Sequence, residues 1–430
     1  HASLGISQLK RIDQIVKERQ RIRDFYEKSL VNEPIRFLER SEDVYSSVHL
    51  VVIVLDESLK DFYKESDYKK AKSYKLDRDR ISLISSLIST TLTIIFIFSG
   101  VYGKVSDYSL YYFDNPFLQS AGFFLFFLLI STIIGLPISY YSVFIIEEKY
   151  GFNKSTLSTF IKDKIKGLII SLLIGGFILY ISIQLYNFFE ANFWLWLWVF
   201  LSAIIIFTNI FYTTLIVPIF NKLSPLEEGS LKNKIEEYSK KIGYSLDKIF
   251  VIDGSKRSSK ANAFFSGLGP KKTIALFDTL IDKHEEDELV AVLAHEVGHY
   301  KKNHIKQGLL LSISQVGIIC YILQLCLNEP NLSLALGGLE SSFHLSLIAF
   351  SFLFSPLSII IGIGMNIFSR KNEYEADKYA KETYNGESLK NALKKLSSDS
   401  LTNLYPHPLY VFVHYSHPPL LKRLEALDRK

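Results

Sequence analysis

The sequence predicts a mainly α, polytopic transmembrane helix bundle with a polar part that carries a small β-sheet. Three observations support this. The 430 residues are 48% hydrophobic yet 22% charged, with a mean hydropathy of +0.17, so the chain must segregate apolar from charged residues. The apolar residues form long blocks without charge. The connections between these blocks alternate between rich and poor in lysine.

Six uncharged blocks are each long enough for one helical span, which needs about 20 apolar residues. A buried core helix is the alternative for any single block, but six in one chain favour membrane spans. The blocks are 81–103, 121–146, 167–189, 191–220, 307–328 and 341–369.

The basic residues predict the topology. Lysine and arginine concentrate before the first block, in 147–166, in 221–306 and directly after the sixth block. The connections at 104–120, at Glu190 and at 329–340 carry one lysine in total. Because positive residues stay on the cytosolic side, we expect six spans with polar regions 221–306 and 368–430 facing the cytosol.

Composition also excludes several classes of protein. The hydrophobicity is too high for intrinsic disorder. Two cysteines are too few for a disulfide-rich scaffold. Both lie in the fifth block, at Cys320 and Cys326, and we expect them to be packing residues within that span. A net charge of +5 over this length gives no indication of nucleic-acid binding.

The first polar region has a mixed pattern. Residues 231–243 form an amphipathic helix pattern that ends at Gly243. Short strands are predicted within 247–253 and 271–278, separated by glycines and a proline. From Glu285 a helical pattern runs straight into the fifth block.

That last helix contains the motif His295-Glu296-Val297-Gly298-His299. Two imidazoles at positions i and i+4 lie on one helix face and can bind one Zn²⁺. Glu296 can hold a metal-bound water and accept its proton. Gly298 costs about 1 kcal/mol relative to alanine within a helix, which indicates a packing or access requirement. A chance match on an exposed helix is the alternative.

A catalytic zinc needs a third protein ligand. Because a hairpin of two spans returns the chain to the same membrane face, the residues after the sixth block are the place to look. We expect Glu373 to be the third ligand, and Asp377, one turn later, to accept the free ring N–H of a ligand histidine. Glu375 is expected to point elsewhere, into solvent. An ordinary charged helix surface is the alternative.

The remaining histidines have weaker patterns. His304 lies nine residues after His295, close to the opposite side of a continuous helix, and we interpret it as structural or interfacial. No partner spacing marks four others as ligands: His284, His344, His407 and His414.

Together these stretches resemble the CAAX prenyl protease 1 family, integral-membrane zinc metalloendopeptidases, over about residues 60–430. The motifs that carry the resemblance are the zinc helix, the segment from Glu373 to Asp377, and four further segments. Those segments are 146–156 (IEEKYGFNKST), 255–265 (SKRSS and NAFF), 276–280 (LFDTL) and 416–424 (SHPPLLKRL).

The resemblance implies the metal and base roles residue by residue. His295, His299 and Glu373 match the family's zinc ligands, and Glu296 matches its general base. One Zn²⁺ per chain is therefore expected as the cofactor.

Further roles are implied for four residues outside the metal ligands. Asn262 and Ala263 match an edge strand that pairs with the substrate backbone. His417 and Arg423 match residues that stabilise the oxyanion or bind the substrate, although a turn before Pro418 is an alternative explanation of His417.

The N-terminal segment departs from the family. Members of the family have seven membrane spans, and the first of these spans lies at the start of the chain. Residues 44–55 are too short to cross a membrane. Residues 1–55 weakly resemble a C-terminal fragment of nucleotide-sugar aminotransferases, through 1–13 (HASLGISQLKRID) and 46–50 (SSVHL). We interpret them as a fusion remnant joined near 55–65, without pyridoxal phosphate. A divergent amphipathic helix is the alternative.

The sequence therefore predicts an atypical segment 1–60, a membrane domain 61–220 with four spans, and a zinc metallopeptidase domain 221–430 with two further spans. The expected protein is a multi-pass zinc endopeptidase of the membrane that cleaves peptides or proteins, with its catalytic side facing the cytosol. The resemblance implies that its function is the C-terminal CAAX processing of prenylated proteins. The alternatives are a quality-control protease of the same chemistry, a non-catalytic membrane scaffold, and a transporter, which metal residues at span ends disfavour.

Overall fold

A computed structural model provides the fold. Contacts divide it into two compact units, His1–Ala71 and Lys72–Lys430. In the first unit, β1 (Ile35–Phe37) pairs antiparallel with β2 (Ile53–Leu55). The proposed aminotransferase-like remnant and the alternative N-terminal helix otherwise fall outside the described residues. The structure describes residues 17–18, 21, 24, 35–37, 53–55, 65–243, 249–266 and 273–429.

The predicted mainly helical membrane bundle with a small sheet is confirmed. Among the described residues, five helical stretches are long and apolar enough to cross a membrane. The third stretch, Leu157–Phe220, contains two of the six predicted blocks, because a 3₁₀ turn at Glu190–Asn192 divides it into two helices that pack on each other. The other stretches are Ser66–Phe98, Pro116–Glu147, His304–Leu327 and Phe343–Thr383.

The helices up to the first polar region follow the predicted blocks with shifted ends. The first span ends at Phe98, short of the predicted boundary, because Gly100 adopts a left-handed conformation (φ 64°) and starts a separate short helix. The helices are α1 (Glu65–Phe98), α2 (Val101–Tyr112), α3 (Pro116–Tyr140, continued by a π-helical turn Tyr141–Glu147), α4 (Leu157–Phe189), α5 (Phe193–Phe211, continued by a π-helical turn Tyr212–Ile216) and α6 (Val217–Phe220).

The outer faces of these helices carry exposed aliphatic side chains. Ile133 is 70% exposed and Leu173 is 68% exposed. Such a large apolar surface is unfavourable in water and suits contact with lipid.

The two longer lysine-poor connections lie together at one end of the bundle. Helix α2 packs so closely on the loop before the last span that a Cβ on Gly103 would lie 1.9 Å from the carbonyl oxygen of Gly337. Nearby, the hydroxyl of Ser106 lies 2.8 Å from Nε2 of the buried His344. This places the predicted loops 104–120 and 329–340 on the same side.

The lysine-rich connection after the second span packs instead on the first polar region. Asn153 forms an isolated antiparallel bridge with Ser258. The Arg257 guanidinium donates to both carboxylate oxygens of Asp163, at 2.7 and 2.9 Å. The two groups of connections therefore occupy opposite ends of the bundle, as the charge pattern predicts.

A four-stranded sheet forms in the first polar region, in the order β3-β4-β6-β5. The two predicted strands are found as β4 and β6, which pair in parallel, and β5 runs antiparallel to β6 at the edge. The predicted amphipathic helix is α7 (Ser230–Lys241), followed by Gly243 at φ 59°. The strands are β3 (Leu223–Pro225), β4 (Ile249–Ile252), β5 (Ala263–Ser266) and β6 (Thr273–Phe277).

The motif helix is buried through its middle, from Glu288 to Gly298 except at Glu296, and it stops earlier than the sequence pattern indicates. After the short α8 (Asp278–Ile281), helix α9 (Glu286–Lys301) begins with a capping box formed by Glu285 and Glu288. The predicted continuous helix into the fifth span is wrong, because Asn303 adopts a left-handed conformation (φ 61°), which ends a right-handed helix. A new helix, α10 (His304–Leu327), starts there.

The last long helix brings the chain back to α9. It packs more extensively on α9 than on any other element. A Cβ added to Gly298 of α9 would lie 3.1 Å from the backbone of Ala376, so any larger residue would push the two helices apart by at least a few tenths of an ångström. The remaining helices are α11 (Pro330–Leu334), α12 (Phe343–Thr383), α13 (Gly386–Asp399), α14 (Pro408–His414) and α15 (Leu420–Asp428).

We predict that Gly298→Val destabilises the protein by about 1–3 kcal/mol, the usual cost of overpacking, and lowers bound metal by separating α9 from α12. Thermal unfolding in detergent and metal content measure both effects. Gly308→Val is the matched control, since a Cβ at that position meets no atom within 4 Å. Equal behaviour of the two variants would contradict the assigned role of Gly298.

Candidate metal centre

Three side chains from α9 and α12 converge on one point. Nε2 of His295 lies 3.2 Å from Nε2 of His299. The carboxylate of Glu373 lies 3.5 Å from the first nitrogen and 3.3 Å from the second. The potential ligand atoms all lie within 4.8 Å of one another. The structure therefore brings together the three residues that the sequence predicts as ligands.

The surroundings of Glu373 fit a bound cation. Its residue is 4% exposed, and its buried Oε2 has no hydrogen-bond partner among the described residues. Arg423 places a positive charge 3.6 Å from this oxygen but donates no hydrogen bond to it, and two imidazole nitrogens and a carboxylate oxygen are a donor set for a divalent transition metal. These residues fit a metal ion.

A buried ion pair supports the first histidine. Nδ1 of His295 lies 2.9 Å from Oδ1 of Asp377, which is 1% exposed. Arg423, from α15, donates to both oxygens of Asp377 at 2.8 and 2.6 Å. In the neutral imidazole that a metal would bind, the N–H at Nδ1 of His295 faces this carboxylate, and Nε2 offers its lone pair to the metal. Asp377 thus occupies the predicted supporting position.

The charges around His295 act in opposite directions on its protonation. Burial disfavours the imidazolium, but Asp377 and Glu373 outweigh burial and raise the pKa of His295 to about 9. Burial likewise opposes the charged form of Arg423, yet the attraction of Asp377 raises the pKa of that guanidinium. Arg423 is therefore a permanent positive charge beside the ligand carboxylate.

Glu296 lies on the wall between two cavities. It is half-buried. A cavity of about 220 Å³ is lined by His295, Glu296 and Glu373, and one of about 260 Å³ by Glu296 and His299. The side chain is therefore accessible from two cavities beside the candidate ligands, as a proton acceptor requires.

The edge strand reaches the same space as the ligands. Asn262 and Ala263 line the 220 Å³ cavity together with His295 and Glu296. Strand β5 has β6 as its only neighbouring strand among the described residues, so its other edge is available to an extended chain.

A cation fixes the start of this strand to the membrane helices. Lys260 Nζ donates to the Tyr74 hydroxyl at 2.6 Å and to Glu147 Oε2 at 2.9 Å. It also lies 4.3 Å from the centre of the Phe152 ring. The backbone amide of Phe277 in β6 donates to the carbonyl of Asn262 at 3.1 Å. No pattern in the sequence marked Lys260 as part of the site.

His417 approaches the ligands from the C-terminal segment. Its Nε2 lies 3.2 Å from Oε1 of Glu373, and its side chain is 63% exposed. Pro418 and Pro419 follow directly and lead into α15, which carries Arg423. The turn at Pro418 and Pro419 therefore places both His417 and Arg423 at the site.

Two expectations about the surroundings of His299 are wrong. His304 does not lie on the far side of the helix, because the break at Asn303 turns it back: its Nδ1 lies 3.1 Å from Nδ1 of His299. Glu375 is 42% exposed but does not simply face solvent, since its Oε2 lies 3.2 Å from Nε2 of His304. The polar run of Lys302 and Asn303 before an apolar block was the available signal for this break.

Comparison with known proteins covers nearly the whole chain. Residues 48–222 match a family model described as CAAX prenyl protease N-terminal, five membrane helices. Residues 225–430 match the model of peptidase family M48. The two matches meet close to the end of α6.

Individual relatives align over most of their length. The chain is 35% identical to CAAX prenyl protease 1 of Saccharomyces cerevisiae, covering 86% of this chain and 87% of that protein. It is 33% identical to the human CAAX prenyl protease 1 homolog, covering 84% and 86%. The crystal structure of S. mikatae Ste24p superimposes with a TM-score of 0.82 at 35% identity, over 86% of this chain and 91% of the other.

We predict that Asp377→Asn destabilises the protein by about 3–5 kcal/mol, because the buried Arg423 loses the carboxylate that accepts its two hydrogen bonds. Metal affinity falls about 10–100-fold with the weaker acceptor for His295. Urea unfolding and chelator competition measure these effects. Asp399→Asn is the control: it breaks the half-exposed pair with Lys283 (3.2 Å), which is expected to contribute only about 0–1 kcal/mol. Wild-type stability and affinity of Asp377→Asn would refute the prediction.

Proposed function

The chain belongs to peptidase family M48 and to the CAAX prenyl protease family. From this membership we propose that it removes C-terminal residues from prenylated CAAX proteins. We propose that the reaction uses a zinc ion held by His295, His299 and Glu373. The protein is an integral membrane metalloendopeptidase. The convergence of these three side chains beside a free strand edge is the observation that carries the proposal. The non-catalytic scaffold is set aside.

Zinc is the metal that best matches two imidazoles and one carboxylate with an open position. When bound, it would polarise the scissile carbonyl and acidify a water molecule. Glu296 accepts the proton of the attacking water at its carboxylate and passes it to the nitrogen of the leaving peptide. Its half-buried position between the two cavities supports both transfers.

The two basic residues at the site suit different tasks. Arg423 is committed to Asp377 by two hydrogen bonds, so it holds Asp377 and places fixed positive charge near Glu373. His417 is largely exposed and has a ring nitrogen 3.2 Å from Glu373, so its N–H can move to the developing oxyanion of the substrate. We assign His417 as the hydrogen-bond donor to the oxyanion. We assign Arg423 as the positive charge that holds Asp377 and offsets the charge of Glu373.

The substrate chain is positioned by β5. An extended peptide can add to the open edge of this strand through main-chain hydrogen bonds. Ala263 begins the strand and Asn262 directly precedes it, and both line the cavity, so a peptide paired there would pass directly over the ligand set. The bilayer would hold the prenyl group of the same substrate. The lysine-rich end of the bundle, which holds the ligands, then faces the cytosol.

We predict that Glu296→Gln abolishes peptide cleavage, a loss of at least about 10²–10⁴-fold, while zinc content stays at the wild-type level. Gln keeps the shape but cannot accept the proton. Peptide hydrolysis and metal analysis of the purified variant measure both. Glu286→Gln, a change at a partly exposed position in the first turn of the same helix, is the control. Activity in Glu296→Gln would rule out Glu296 as the base.

We predict that the purified protein cleaves a farnesylated CAAX peptide, that a zinc chelator stops the reaction, and that added zinc restores it. A matched peptide without the prenyl group and an unfolded membrane-protein reporter are run in parallel, with cleavage followed by mass spectrometry. Preference for the farnesylated peptide supports CAAX processing. Preference for the unfolded reporter supports quality-control proteolysis instead, and no cleavage of any substrate contradicts both.

A further inference from the structure

We propose that His304 and Glu375 form an imidazole–carboxylate pair that positions His299 for metal binding, which makes them positioning residues outside the ligand set. The proposal rests on the assignment of His299 as a metal ligand. It adds a supporting element that is separate from Asp377 and Arg423.

The hydrogen-bond distances are consistent with one arrangement of the ring protons of His299 and His304. If Nε2 of His299 offers its lone pair to a metal, the ring proton must sit on Nδ1. That proton faces Nδ1 of His304 at 3.1 Å, so this nitrogen must accept. His304 then carries its proton on Nε2, which donates to the Glu375 carboxylate at 3.2 Å. Every ring nitrogen outside the metal position has a partner of the right kind.

The position of His304 is fixed by burial of its side chain and by the backbone turn that precedes it. The side chain is 4% exposed, so its ring is held among protein atoms and not rotating in solvent. The left-handed conformation of Asn303 turns the chain so that the first residue of α10 points back at α9. Glu375 is two residues after Glu373 on α12. The same helix therefore supplies both a metal ligand and the carboxylate that pairs with His304.

The two ligand histidines are thus supported in different ways. His295 faces a buried carboxylate directly, at 2.9 Å, and that carboxylate is neutralised by Arg423. His299 reaches its carboxylate only through another imidazole, and Glu375 is partly exposed. Since partners behind metal ligands typically contribute 10–100-fold in metal affinity, loss of His304 is expected to weaken zinc binding measurably.

The test compares graded variants of the full chain in detergent. His304→Phe removes both ring nitrogens. His304→Asn keeps an acceptor, Oδ1, at the place of Nδ1. Glu375→Gln removes the terminal charge. Glu382→Gln is its matched control, because Glu382 lies 3.8 Å from Lys378 on the same helix, just as Glu375 lies 3.8 Å from Lys371, and has no contact with His304.

Zinc affinity is measured by competition with a chelator, and the melting temperature is measured with the metal stripped. We expect His304→Phe to lose about 10–100-fold in affinity, His304→Asn to recover most of it, and Glu375→Gln to lose a smaller factor. The metal-free melting temperatures and Glu382→Gln should match wild type.

The outcomes separate this proposal from the proposed function. Wild-type zinc affinity in both His304→Phe and Glu375→Gln, with His299→Ala losing zinc, overturns the positioning role and leaves the metalloprotease assignment intact. A drop in the metal-free melting temperature of His304→Phe without recovery in His304→Asn also overturns it, as a purely structural role. If the wild-type protein binds no zinc, the proposed function itself fails.

Discussion

The close packing of α9 on α12 is the contact on which the metal site depends. The two helices are separated in sequence by a membrane hairpin, and each supplies part of the ligand set. Gly298 lies between the two histidines of the motif and faces Ala376, which lies between Glu373 and Asp377. Removing side-chain bulk on both helices at the level of the site lets imidazole and carboxylate groups meet without intervening atoms.

This packing buries charge, which requires compensation from elsewhere. Two carboxylates of α12 are almost completely buried beside His295. Arg423 arrives from the last helix of the chain and pairs with Asp377 through two hydrogen bonds, and a metal would compensate Glu373. The C-terminal helix is therefore part of the electrostatics of the site, which explains why the residues of one small centre come from three separate segments.

Much of this could be predicted from sequence, because the signals were local or followed from membrane topology. Uncharged blocks and lysine alternation gave the helical bundle, and the spacing of His295 and His299 gave one helix face. The return of the hairpin to the same side gave Glu373. The break at Asn303 could not be predicted from periodicity, because a single left-handed residue leaves the apolar pattern unchanged. The contacts of His304 and Glu375 followed that break and were missed with it.

The substrate-facing strand shows how the membrane part and the catalytic part depend on each other. Its first residues are held on one side by the sheet, through the bond from Phe277 to Asn262. On the other side, Lys260 is held by Tyr74 and Glu147, at the ends of two membrane helices, and by the ring of Phe152. The predicted domain boundary at 220 is therefore crossed by contacts that set the distance between the strand and the ligands. A change in the packing of the first two spans would therefore reach the strand through Lys260, whereas the last two spans reach the site directly, because α12 carries Glu373 and α10 begins at His304.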